Sequence, residues 1–124
     1  MRLILVDDSA LVRALLIDRL NQVRGIQIVG EATDAPEALD MIRELKPEAV
    51  ILDFKLPGGN GLSVLRGMRL ENLCPLVLVL TNYPFPQYRA ACLNAGAHYF
   101  LDKSTEFDGV IEILEQAAQG SSDT

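Results

Sequence analysis

Short apolar runs alternate with amphipathic stretches along this chain. The runs are Leu3–Val6, Ile26–Val29, Ala49–Leu52, Leu76–Leu80 and Tyr99–Leu101. The first and fourth are apolar without alternation, and the third nearly so. Strands read this way when helices cover both faces of a parallel sheet. In residues 9–23, Val12, Leu15, Leu16, Leu20 and Val23 recur at steps of three and four, which predicts a first helix. A second has Asp34 as N-cap, Pro36 in its first turn and Glu37 at the capping-box position, followed by Ala38, Leu39, Ile42 and Leu45. It stops before Pro47. The third runs from about Gly61 to Leu70, and the fourth from about Gln87 to Ala95, closed by Gly96 as a left-handed cap. The fifth begins near Ser104 or Thr105, where Thr105 and Asp108 resemble a capping box, and carries Phe107, Val110, Ile111 and Leu114.

Five strand–helix units in strict alternation predict an α/β fold, a doubly wound parallel sheet of five strands with five flanking helices. One domain over residues 1–119 accounts for the pattern, and the polar stretch Gly120–Thr124 reads as a frayed tail. The chain has 124 residues, 49% apolar and 23% charged, the profile of one packed domain that needs no disulfide or metal to fold. Cys74 and Cys92 have no metal-type spacing and read as small buried hydrophobes in a reducing, cytoplasmic setting. Met1 leads into a charged residue and a short apolar run, without the features of a signal peptide. No apolar stretch approaches the ~20 residues of a membrane helix. Seventeen acidic against eleven basic side chains, a net charge of −6, argue against direct binding to nucleic acid or to an anionic membrane.

Ligands of an open parallel sheet bind beyond the carboxyl ends of the strands. There the sequence places Asp7 and Asp8 after the first run, Asp53 after the third, Thr81 after the fourth and Lys103 after the fifth. Converging carboxylates repel; two unit charges ~4 Å apart cost about 4 kcal/mol at an effective dielectric of 20. Either some are protonated or a cation joins them. Oxygen ligands without His or Cys suit Mg²⁺ or Mn²⁺. With a lysine and a hydroxyl around one further carboxylate, the set is suited to handling a phosphoryl group. Each residue alone has an ordinary explanation as a helix cap, a turn former or a solvated strand end. It is their coincidence at the right strand ends that carries the argument.

Over nearly its whole length the sequence resembles a response-regulator receiver domain, similar to the stand-alone receivers of chemotaxis. The matching segments are Leu5–Ser9, Val50–Gly61, Val79–Thr81, Gly96-Ala97 and Phe100–Lys103. The resemblance implies a flavodoxin-like strand order 2-1-3-4-5. It implies Asp53 as the phosphoacceptor, taking a phosphoryl group from a sensor histidine kinase or phosphotransfer protein. It implies Asp8 as direct Mg²⁺ ligand, Asp7 as an acid acting through metal-bound water, and the backbone carbonyl of Lys55 as a further metal contact. Thr81 matches the switch hydroxyl, Lys103 the lysine that pairs with the carboxylate and then the phosphoryl, and Phe100, rather than Tyr99, the switch aromatic. Asp53 must be ionised to attack phosphorus, and Mg²⁺ with Lys103 favours that form. Beyond self-catalysed phosphotransfer and autodephosphorylation, no enzyme activity is implied. The expected partners are a kinase or phosphotransfer protein and a separate downstream protein target, with the chain a monomer or weak dimer. One receiver fills the length, so the expected output passes to another molecule. The −6 charge is then partly a metal-binding phosphorylation site, since Asp7, Asp8 and Asp53 belong to it.

Several positions depart from the family pattern. Asn82 follows the switch hydroxyl where a small residue is usual, and the bulky Tyr83 comes next. The positions of Lys55 and Tyr83 flank the phosphoryl in this family, and here both are expected to shield it and lengthen its lifetime. Pro84 and Pro86 each fix one φ in the following loop. Ser104 stands after Lys103 where proline, often cis, is common, which leaves that peptide's isomer open. His98 is assigned no role. A haloacid-dehalogenase-type phosphatase would need a second aspartate where Lys55 stands. A flavin or nucleotide module would want a first loop that cradles phosphate, which Asp7-Asp8-Ser9 repels without metal. The remaining alternative is a receiver-like interaction scaffold that is not phosphorylated.

Overall fold

The computed structural model describes residues 1–122. The elements in chain order are β1 (Arg2–Val6), α1 (Ala10–Leu20), β2 (Gln27–Ala32), α2 (Ala35–Leu45), β3 (Ala49–Leu52), β4 (Lys55–Leu56), β5 (Gly59–Asn60), α3 (Gly61–Leu70), β6 (Leu76–Thr81), α4 (Pro86–Asn94), β7 (Tyr99–Asp102) and α5 (Phe107–Ser122). The main sheet is parallel, in the order β2-β1-β3-β6-β7. Renumbered over its own five strands, this is the expected 2-1-3-4-5. A two-residue antiparallel ladder, β4 with β5, forms between Asp53 and α3, where the sequence pattern predicts no strand.

The unbroken apolar runs are explained by two cores. Alternate residues of the central strands point to opposite faces. Ile4, Val6, Val50, Leu52, Val77 and Val79 pack with α2, α3 and α4. Leu3, Leu5, Ala49, Ile51, Leu78 and Leu80 pack with α1 and α5. Each central strand is therefore apolar on both sides, with α2, α3 and α4 covering one face and α1 and α5 the other. In α1, Leu16 and Leu20 reach the core whereas Leu15 is largely exposed, so the buried stripe is narrower than the periodicity suggests. The edge strand β2 extends past its apolar run to Ala32. At Gly30 a Cβ would meet the end of the flexible Met41 side chain, which packs close to the strand there.

Local signals set most helix ends. Asp34 accepts from Glu37 N, while Glu37 reaches back one residue further than a capping box would, to Thr33 N. Asn60 and Ser63 form a reciprocal capping box at α3. Pro86 opens α4, and Gly96, at φ +115°, follows its C-cap. The fifth helix differs from expectation: it starts at Phe107, not near Ser104 or Thr105. Asp102 accepts from both N and Oγ of Ser104, and its carbonyl accepts from Glu106 N at 2.8 Å. Residues 103–105 are thus spent on a turn. No peptide bond among the described residues is cis, Lys103–Ser104 included. The helix continues through Gly120 to Ser122, where a frayed tail was expected, and residues 123 and 124 lie outside the described residues. Cys92 is buried, and burial pushes its thiol up to about 11, whereas Cys74 is exposed, against the expectation of two buried thiols. No helix among the described residues is long and apolar enough to cross a membrane.

Two packing features position the strand ends. Gly61 opens α3 where a Cβ would lie 2.8 Å from the carbonyl oxygen of Asp53 and 3.1 Å from Phe54 Cα, both backbone atoms that cannot swing aside. Gly61→Ala is expected to lower stability by about 1–3 kcal/mol through overpacking, read by chemical denaturation; an unchanged midpoint refutes this. His98 extends the β6–β7 ladder. Its N–H donates to Val77 O at 2.9 Å, and its Nδ1 accepts from Val77 N at 3.0 Å. The ring proton therefore sits on Nε2. His98→Leu leaves that N–H unpaired and is expected to lose about 1 kcal/mol. His98→Asn, with an acceptor at the same branch position, should lose less, and equal losses would count against this role.

Candidate functional site

Each candidate side chain is carried to the same sheet edge by a strand end. Asp7 and Asp8 leave β1, Asp53 leaves β3, Thr81 ends β6 and Lys103 follows β7. β1 and β3 are direct neighbours in register, with Val6 opposite Leu52, so the carboxyl groups that follow them converge. One oxygen from each of Asp7, Asp8 and Asp53 falls within 4.8 Å of the others. Asp7 and Asp53 are buried and Asp8 is exposed, so the cluster opens to solvent on the Asp8 side.

Lys103 joins the two buried acids. Its Nζ lies 2.7 Å from Asp7 Oδ2 and 3.0 Å from Asp53 Oδ2. Burial works against the ammonium, but the hydrogen bonds and the attraction of Asp7 and Asp53 outweigh it and hold Lys103 above its ordinary value. For Asp53 burial is the largest effect. Burial raises the carboxyl, Lys103 lowers it, Asp7 raises it again, and the net position is above the usual carboxylate range. Lys103 therefore offsets only part of the effect of burial and of Asp7 on the Asp53 carboxyl.

The other oxygen of Asp53, Oδ1, is buried without a hydrogen-bond partner among the described residues. A buried carboxylate oxygen left bare is costly and calls for a partner. Three clustered carboxyl groups facing one lysine, with oxygen donors only, fit a hard divalent cation such as Mg²⁺. The bare Oδ1 is the observation that favours this fit. Asp7 is otherwise well held, since its Oδ1 accepts from Ser9 N at 2.8 Å.

The remaining candidates surround this cluster without joining it. Thr81 is fully buried, and its Oγ1 accepts from Tyr83 N at 3.1 Å. Phe100 is buried in the core on the α4 side, while Tyr99 is largely exposed, which separates the two candidates for an inward aromatic. Lys55 lines a cleft together with Asp8, Phe54 and Tyr88. Its ammonium lies 4.4 Å from the centre of the Tyr83 ring, so these two side chains, each expected near the site, meet one another in a cation–π contact.

Sequence reasoning missed a chain of aromatic contacts beside the site. Phe54, next to Asp53, stacks on Tyr88 of α4 with centroids 4.4 Å apart, Tyr88 meets Phe85 edge-on at 5.5 Å, and Phe85 lies 6.5 Å from Tyr83. The clustering of Tyr83, Phe85 and Tyr88 within six residues was the available signal. Arg89 was missed too; its Nη1 donates to the carbonyl of Phe100 and ties α4 to β7.

Known proteins with these features can now be set beside the chain. It is 36% identical over 105 residues to protein-glutamate methylesterase/protein-glutamine glutaminase 5 of Myxococcus xanthus DK1622, covering 84% of this chain and 30% of that protein. It is 30% identical over 120 residues to the DNA-binding transcriptional activator EvgA of Escherichia coli K12, covering 97% and 58%. The chain spans between 24% and 60% of the length of the curated relatives it matches first. Among solved structures, a LuxR-family two-component response regulator from Aurantimonas sp. SI85-9A1 superposes with a TM-score of 0.87 at 29% identity, covering 96% of this chain and 85% of that one. The response regulator domain of Thermotoga maritima CheB gives 0.83 at 26% identity, covering 100% and 97%. The model of the response regulator receiver domain matches residues 3–115, and the chain belongs to that family.

Proposed function

We propose that this receiver accepts a phosphoryl group on Asp53 in a Mg²⁺-dependent reaction. The observation that carries the reading is the buried Asp53 carboxylate, with one oxygen on Lys103 and the other bare beside Asp7 and Asp8. The donor is a phosphohistidine of a sensor kinase or phosphotransfer protein. An Asp53 oxygen attacks phosphorus, the phosphorus–nitrogen bond breaks, and an acyl phosphate forms while the imidazole leaves. Asp8, Asp7, Asp53 and the Lys55 carbonyl would hold the cation, which neutralises charge on the transferring oxygens when bound. Lys103 offsets negative charge on the phosphoryl from the other side.

The new group brings about −1.5 to −2 charge and fresh acceptors. Thr81 then moves its hydroxyl toward a phosphoryl oxygen and gives up its bond from Tyr83 N, and Phe100 follows. That shift of population over the β6–α4 loop, α4 and α5 is read by a separate protein target. The domain works in the cytoplasm as a signalling module, not as an enzyme turning over a free substrate, and residues 1–119 form the working unit.

Incubation with acetyl phosphate and Mg²⁺ should add one phosphoryl mass to the wild type and none to Asp53→Asn, as read by intact mass. No adduct on the wild type, or an adduct that survives the substitution, overturns the assignment; the first outcome returns the chain to an unphosphorylated scaffold. The Lys55–Tyr83 contact supports the proposal that these residues shield the acyl phosphate from water. Replacing both by alanine should speed phosphate loss several-fold in a discharge time course. An unchanged rate ends that idea.

A further inference from the structure

Arg13, on α1, is not among the site residues named above, yet it holds the backbone carbonyl of Asp7. Its side chain is only 16% exposed. Nη1 donates to the backbone carbonyl oxygen of Asp7 at 2.6 Å, and Nε donates to Glu31 Oε1 at 3.0 Å. Glu31 lies on β2, the strand beside β1, opposite Leu5. Asp7 N donates to Ala32 O at 3.0 Å, so the backbone of Asp7 is held on both sides by partners reaching from β2 or braced upon it.

The carbonyl that Arg13 holds belongs to the peptide joining Asp7 to Asp8. The orientation of that peptide sets the direction in which Asp8 leaves the strand. Asp8 has nothing else to orient it: its carboxylate is exposed and has no hydrogen bond or ion pair among the described residues. The planar fork of arginine suits this double task, because Nη1 and Nε are fixed relative to each other and serve two acceptors at once. The bond to Asp7 O is charge-assisted, and Glu31 neutralises the guanidinium at its other edge.

We infer that Arg13, braced by Glu31, is a positioning residue that fixes the Asp7–Asp8 peptide and thereby aims Asp8 at the cation site beside Asp53. This rests on the reading of the acidic cluster as a Mg²⁺ site. It has a sign that plain electrostatics lacks. A guanidinium near an acidic cluster repels a divalent cation, so charge removal alone predicts tighter binding on losing Arg13. Loss of positioning predicts weaker binding, on the scale of roughly 10-fold for an outer-shell partner of a metal site.

The test is a Mg²⁺ titration of the full chain, followed through the backbone amide shifts of Asp8, Asp53 and Lys55. Arg13→Ala is expected to weaken binding roughly 10-fold. Arg13→Lys keeps the charge but reaches one acceptor at a time, and should recover part of the loss. Glu31→Gln keeps an acceptor for Nε without its charge, and should weaken binding by a smaller factor. Unchanged or tighter binding in Arg13→Ala overturns the inference. Should that variant fail to fold, affinities equal to wild type in both Arg13→Lys and Glu31→Gln overturn it instead. A wild type that does not respond to Mg²⁺ removes the cation site itself, and is told apart because it appears in the unsubstituted protein.

Discussion

One ammonium group holds together two strand ends that would otherwise push apart. Lys103 Nζ lies between Asp7 and Asp53, each buried, at the edge where β1, β3 and β7 release their chains. Without it the sheet would bring two acidic groups into a region of low dielectric with no compensation. With it, three carboxyl groups still face a single lysine. The balance is deliberately incomplete in a physical sense: the contact satisfies one oxygen of Asp53 and leaves the other bare.

The rest of the structure delivers groups to that contact. The two-sided burial of β1, β3 and β6 fixes their register, because a one-residue slip would exchange the two cores. Gly61 lets α3 begin against the backbone of Asp53, so the acceptor strand and the helix after it share one rigid corner. Thr81 is held by Tyr83, Tyr83 by Lys55, and the aromatic chain from Phe54 to Tyr88 spans from the acceptor strand to α4. Contacts thus run from the residue beside Asp53 to α4 through the ring of Phe54, and from Thr81 to Tyr83 and on to Phe85.

Several site residues were legible because their signals are local. Apolar runs that end in Asp7-Asp8, Asp53, Thr81 and Lys103 declare both a buried strand and the polar groups at its end. The helix cap at Asp34 reads the same way, since a cap is a bond between residues three apart, whereas the Asn60–Ser63 cap of α3 emerges only in the structure. Other features were not legible, because each depends on a competition that local sequence does not record. Asp102 captures Ser104 and delays α5 past the apparent cap at Thr105. Gly30 and Glu31 interrupt an apolar run, yet pairing with β1 carries β2 on to Ala32. Cys74 and Cys92 look alike in sequence, but one falls at a helix–strand junction in solvent and the other inside the α4 face.

The sequence by itself determined the alternation of elements, the two-sided burial of the central strands and the identity of the groups at their ends. These follow from periodicity and composition, which act over a few residues. Only the tertiary structure decided which oxygen of Asp53 meets Lys103, that Lys55 turns onto Tyr83, and that Arg13 reaches the Asp7 carbonyl while braced on Glu31. Those contacts join residues that come together only when the sheet order sets β2 beside β1, β1 and β6 beside β3, and β7 beside β6. Long flexible side chains choose among several partners within reach, and the choice is made by burial and charge in the folded protein.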